Sequence, residues 1–342
     1  MSLEIIVKNA SEHGKSELNR IEYLDGWRGM AISLVLISHF FHVNSVDLGR
    51  MGVDVFFVLS GMLMAKILFV KKIPLSIFYK RRISRILPVF FIFLSTISLL
   101  SLFLGLSHEH NNFIYSLAFI RSYYPVTPDL WNTGIPIGHL WSLNVEEHCY
   151  VILSLITLIS LFNKRAHLLI LFLGCCSIIL QCLYIKFPSI ASENYHLKTE
   201  ITASFLMISA GYFLIKHKIE AYLPSWSPIV ALLFAFLCYT EYSPHWSAQW
   251  ALSPFLLAFS VNHLNLAPIF FKSLLCFLPL RLLGIWSFSI YLWQQPFYYY
   301  GTHGGNAFPF AGPLLLAVSI LIGAASFYII ENSIRKYLND KW

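Results

Sequence analysis

LLILFLGCCSIILQCLY (Leu168–Tyr184) and PLLLAVSILIGAASFYII (Pro313–Ile330) each run without a single charged side chain. Both approach the roughly 20 residues a helix needs to cross about 30 Å of hydrocarbon. A helix buried in a water-soluble core has no need of such length. The whole chain agrees with these two runs: of its 342 residues 57% are hydrophobic and 12% charged. Soluble domains carry about 25% charge. An apolar excess of this size has to be solvated by lipid, and the fold expected is all-α, a polytopic membrane protein of about ten transmembrane helices. Their apolar cores fall near residues 30–46, 52–70, 86–106, 139–162, 167–187, 200–216, 226–240, 249–267, 284–300 and 311–331.

Lysine and arginine placement sets the orientation. Lys71, Lys72, Lys80, Arg81, Arg82 and Arg85 share one break between runs, and Lys164, Arg165, Lys216, Lys218, Lys272, Arg281, Arg335, Lys336 and Lys341 mark the later ones. With about ten spans they all fall on one side, which the positive-inside rule makes cytoplasmic, together with both termini. The net charge of +7 is therefore spread over loops. It forms no nucleic-acid patch. Residues 1–20 are polar and mixed in charge, so they read as a cytoplasmic, partly disordered leader ahead of an integral membrane domain over 21–338. The six cysteines form no CxxC pair and lie in apolar stretches, where small packing side chains account for them without disulfides or a metal.

Ionisable groups inside spans are costly and mark functional candidates. Asp25-Gly-Trp-Arg28-Gly leads into a span that carries His39, eleven residues beyond Arg28. That is about three helical turns, so both face one way and lie roughly 16 Å apart along the axis. His39 suits a general base, because an imidazole titrates near neutral pH, or else it packs against a neighbouring helix. Asp54 follows on the returning span, where it either orients His39 or His42 or caps the helix start. Arg82 and Arg85 stand three apart at a cytoplasmic helix start. They match phosphates bidentately, or serve only as topology signals beside lipid headgroups. In HLWSLNVEEH (His139–His148), Glu146 and Glu147 stand side by side at the start of an apolar run. Adjacent positions point about 100° apart, so one of the two is expected to face the cavity of His39.

Together these segments resemble the acyltransferase-3 family of integral membrane proteins. The motifs that carry the resemblance are Asp25–Gly29 leading to His39, Gly52–Gly61 (GVDVFFVLSG), Arg82 with Arg85, His139–Glu147, Ser287–Trp293 (SFSIYLW) and Ile330–Glu331, in that order from Tyr23 to Tyr337. The sequence departs from the family at Gln294 and Gln295, where a histidine is common, and at His148 and Cys149, where Gln and an aromatic are. The resemblance implies transfer of an acyl group, usually acetyl, from cytosolic acetyl-CoA to a hydroxyl of a cell-surface carbohydrate or lipid-linked glycan. Lipopolysaccharide O-antigen and exopolysaccharide are the acceptors it suggests. Acyl-CoA is then a co-substrate, with no permanently bound cofactor and no metal. Some members carry an extracytoplasmic hydrolase-like domain; with none after Trp342, direct transfer is the simpler expectation.

The site expected from both readings has Arg28, Arg82, Arg85 and Asp25 on the donor, and His39, Glu146, Glu147 and Asp54 in the chemistry. Ser60 is the nearest candidate for a nucleophile, and Trp131, Trp141, Trp246 and Trp250 either stack on sugars or anchor at the interface. The competing class is a proton-coupled transporter or flippase, which also uses buried His and Glu. It would be expected to show internal repeats and matched broken helices, and neither is legible.

Overall fold

The computed structural model describes residues 21–341 apart from 42, 44, 104–110, 125–134, 161–164, 192–193, 243–246 and 304–310. The leader over 1–20, His42, Trp131 and Trp246 lie outside the described residues. Twelve helices matter here: α1 (Glu22–Phe41), α2 (Leu48–Ala65), α3 (Leu75–Phe103), α4 (Trp141–Ser160), α5 (Ala166–Lys186), α6 (Thr199–Ile215), α7 (Ser227–Cys238), α8 (Ser253–Asn262), α9 (Ile269–Leu275), α10 (Leu278–His303), α11 (Ala311–Ser326) and α12 (Asn332–Lys341). Among the described residues there is no strand, only an isolated bridge between Val46 and Thr240.

Among the described residues five helical stretches are long and apolar enough to cross a membrane: Leu48–Val70, Leu75–Phe103, Gly138–Ile159, Ala166–Lys186 and Gly312–Lys341. A sixth counts if Ile269–Leu275 and Leu278–Tyr299, bent by 53° at their junction, form one span. The fold class is thus all-α with five or six candidate spans, and the count of about ten is not reached on these criteria. The reason is physical. Helix α1 is 20 residues long, but Asp25, Arg28 and His39 dilute its apolar content. Helices α6, α7 and α8 have 17, 12 and 10 residues, the last preceded by a π turn at Ala248–Leu252.

Close helix contact at small residues positions the site. Helices α1 and α10 run the same way, with Gly29 against Leu280 and Gly284 against Asp25 and Gly29, while Gly26 lies against Leu275 at the end of α9. In lipid, association gains from such backbone approach because no hydrophobic effect separates the helices from their solvent. A Cβ at Gly26 would run into the backbone carbonyl of Leu275, and one at Gly284 into that of Asp25. Backbone cannot swing aside as a side chain can. Gly284→Ala is therefore expected to destabilise by about 1–3 kcal/mol or to part α1 from α10, read as a fall in the melting temperature of the detergent-solubilised protein; an unchanged melt would show that the two helices are not in contact. On its other side α1 packs on α2, where the fully buried Trp27 donates its indole N–H to the carbonyl of Val55 at 3.2 Å.

Candidate active site

Helices α1, α2, α3, α4 and α10 enclose a chamber of about 130 Å³ whose polar wall is Arg28, Ser60, Arg82, Arg85, Glu146 and Tyr150. Ser60 Oγ donates to Glu146 Oε1 at 2.7 Å, and the Tyr150 hydroxyl donates to the same oxygen. Tyr150 lies four residues beyond Glu146, so the helix period places both on one face. The paired glutamates separate as their 100° offset requires: Glu146 faces the chamber and Glu147 turns to Arg82. Arg82 Nε lies 3.0 and 3.1 Å from the two Glu147 oxygens, and Nη2 lies 2.7 Å from Oε1. The same guanidinium stands 3.4 Å from the centroid of the Tyr150 ring and 3.8 Å from Glu146. Arg82 is therefore committed to a carboxylate and a ring inside the protein, while Arg85 stays at the mouth.

His39 sits apart from the glutamates. Its Nδ1 is 2.8 Å from Gln294 Oε1, and its ring stacks on Tyr298 with centroids 4.3 Å apart and planes inclined by 13°. Tyr298 follows Gln294 by four residues on α10, so one helix face supplies both contacts. Tyr291, three residues before Gln294, lines the far end of the chamber with Ser142. Its hydroxyl donates to the carbonyl of His139 at 2.9 Å and lies 2.6 Å from Ser142 Oγ. The chamber therefore runs between Arg28 and Arg85 and Tyr291, one turn of α10 before Gln294; His39 itself does not line it. The sequence pointed to a carboxylate as the partner of His39; the fold supplies an amide.

Asp54 belongs to another cluster. It accepts from Arg50 Nε at 3.0 and 3.1 Å and from the Tyr239 hydroxyl at 2.8 Å. Arg50 also donates to the carbonyl of His196 at 3.0 Å and to Thr202 Oγ1 at 3.3 Å. Its guanidinium lies between Trp141 and Trp250, 5.2 and 4.6 Å from their ring centroids. Both tryptophans are thus occupied by a buried arginine. The helix-start cap that Asp54 might have supplied comes from Asp47, which accepts from the backbone N–H of Arg50 at 3.1 Å. Burial, and then the charge of Arg50, hold the nearby His196 imidazole down to about 4, so it stays neutral.

A second cavity, of about 360 Å³, adjoins the chamber and shares Arg28, Leu63 and Arg85 with it. Lys66, Lys71 and Arg335 add positive charge, against Asp25 and Glu331. Arg28 lies 3.5 Å from Asp25, and Arg85 lies 3.9 Å from Glu331, which also accepts from Ser289 Oγ at 2.8 Å. At 39% exposed, Arg85 spends little on that pair. Among the described residues no group of His, Cys, Asp and Glu side chains is disposed to hold a metal ion.

Sequence reasoning missed Tyr150, Tyr291 and Tyr298. The spacing of Tyr150 from Glu146, and of Tyr298 from Gln294, was the available signal.

A bundle of apolar helices with a polar chamber, a basic mouth and a half-buried histidine defines an integral membrane protein with an internal polar site. The sequence model of the family described as "Acyltransferase domain" matches residues 21–330. The chain belongs to this acyltransferase-3 family. Among similar proteins is YrhL of Bacillus subtilis (strain 168), whose name carries a provisional peptidoglycan O-acetyltransferase assignment; it is 28% identical over 91% of this chain and 54% of its own length. The O-acetyltransferase OatA of Staphylococcus aureus (strain NCTC 8325 / PS 47) is 26% identical over 92% of this chain and 57% of its own length. The chain spans about half the length of the curated relatives it matches. No solved structure matches it significantly.

Proposed function

We propose that this chain is an O-acyltransferase that moves an acyl group, acetyl first among them, from cytosolic acyl-CoA to a hydroxyl of a cell-surface glycan polymer. The observation that carries this reading is the pair of adjoining cavities, basic at the mouth, which share Arg28 and Arg85 and continue past Ser60 and Glu146 to Tyr291, one turn of α10 from the Gln294 that bonds His39. A donor with a phosphorylated head and a long, thin, neutral arm ending in a thioester has this shape and this order of charge. The phosphates sit among Arg28, Arg85, Lys66, Lys71 and Arg335, the arm lies in the chamber, and the acyl carbon reaches His39. Arg82, paired with Glu147, supports the wall of the chamber and leaves phosphate binding to the others. Within the class of surface glycans the names of the relatives favour peptidoglycan over O-antigen or exopolysaccharide. The membrane is the bacterial cytoplasmic (inner) membrane, crossed about ten times with both termini cytoplasmic. The transporter reading is disfavoured because a cluster of five cations at one mouth suits an anionic head better than a proton relay.

Removing Arg28 and Arg85 separately tests the donor site. Each alanine variant is expected to raise KM for acetyl-CoA about tenfold, since a charge-assisted hydrogen bond is worth about 1.5–3 kcal/mol. The rise should steepen with salt for the wild type and flatten in the variants. Unchanged KM values in both would remove the donor from this mouth. For the reaction itself, surface glycans from cells with and without the chain are compared by mass spectrometry. Loss of an acetyl ester on deletion supports the reading, and an unchanged glycan profile rejects a surface-glycan acceptor.

A further inference from the structure

We infer that Gln294 is the positioning residue for His39, locking the imidazole in the tautomer that leaves Nε2 as the base. This rests on the acyl-transfer reading above. Gln294 Oε1 faces Nδ1 of His39 at 2.8 Å, and Gln294 Nε2 donates to Gln295 Oε1 at 3.3 Å. Gln294 and Gln295 are 0% and 1% exposed, so their amides have no water to trade partners with. The second bond agrees with this orientation of the amide: its NH₂ turns to Gln295 and its carbonyl oxygen faces His39. A carbonyl oxygen accepts and cannot donate, so Nδ1 must carry the proton. Nε2 then holds the lone pair, and among the described residues no protein group bonds it. The stack on Tyr298 removes the remaining freedom of the ring to rotate about its Cβ–Cγ bond.

The lock is made of groups that do not titrate. Among the described residues the titratable groups near His39 are Tyr298 on α10 and His139 ahead of α4, and no carboxylate bonds the ring. In the reaction, the acceptor hydroxyl attacks the thioester carbon as its proton passes to Nε2. The new C–O bond forms, the C–S bond breaks, and the thiolate leaves and takes up the proton from Nε2. Throughout, Nδ1–H stays on Gln294.

Three variants and one spectrum test this, each variant confirmed folded by its melting curve. Gln294→Leu is expected to lower kcat tenfold or more with the acetyl-CoA KM unchanged, a part of the about 10²–10⁴-fold that a positioned base contributes. Gln294→Asn, with a shorter amide, should recover part of that loss. Gln294→Glu is close to isosteric and keeps the acceptor, so it should remain active. Its carboxylate favours the imidazolium, and the acid limb of its pH–rate profile should move to higher pH. Wild-type kcat in Gln294→Leu, or an unmoved limb in Gln294→Glu, would overturn the assignment. Nitrogen-15 spectra of histidine-labelled protein, with the His39 signals identified by their loss in His39→Gln, give a readout free of turnover. The Nδ1–H tautomer is expected, and the Nε2–H tautomer sinks the proposal. A wild-type protein that shows this tautomer but no acetyl transfer would reject the acyltransferase reading and leave the lock standing.

Discussion

His39→Ala is expected to abolish acyl transfer, with kcat down by about a hundredfold to ten-thousandfold, the range a positioned general base contributes. The fold should survive. His39 gives up one hydrogen bond and one ring stack, both on α10, while the α1–α10 contact is carried by Gly29 and Gly284 lower in the same helices. Donor affinity should survive too, since Arg28 lies about 16 Å below His39 on α1, by the rise of eleven residues. The expected pattern is therefore a collapsed kcat with a near-normal KM for acetyl-CoA and a near-normal melt. A variant that kept wild-type turnover would remove His39 from the chemistry and leave Ser60, 2.7 Å from Glu146, as the remaining centre.

The largest loss of stability is expected from Asp54→Ala. Asp54 is 0% and Arg50 8% exposed, and the change leaves a guanidinium without its counter-ion between Trp141 and Trp250. Breaking a buried pair from one side costs about 3–5 kcal/mol, most of it the unpaired charge that remains. Replacing both partners, as Arg50→Met with Asp54→Leu, should recover much of the loss, because apolar pairs of similar volume are often neutral at such sites. The acceptors freed by the double change keep other donors: the carbonyl of His196 still receives Thr202 Oγ1 at 2.8 Å. Tyr239 keeps Ser253 at 3.3 Å. The measurement is the thermal melt of single and double variants, read beside kcat. A stable but inactive Asp54→Ala would return Asp54 to the catalytic role its sequence position suggested.

By itself the sequence determined the solvent and the class of structure. Uncharged runs such as Leu168–Tyr184 can only be helices in lipid, because a backbone in hydrocarbon must satisfy its own hydrogen bonds. It also marked the polar residues that the bilayer makes expensive, and with them the charged side chains that line the chamber, Arg28, Arg82, Arg85 and Glu146. Local spacing went as far as saying that Glu146 and Glu147 diverge. Which of them meets the chamber was beyond it, because that depends on Arg82, 65 residues away, lying close to Glu147.

The tertiary structure decided the pairings. His39 and Gln294 are 255 residues apart, and what joins them is the close approach of α1 and α10 at Gly29 and Gly284. Asp54 could be assigned to His39 or to a helix cap by its position on α2; packing gave it instead to Arg50 and Tyr239. A side chain's role in a membrane follows from which buried group it neutralises or bonds. Chain period fixes only the face it leaves from, and the neighbour waiting there is set by how the helices pack.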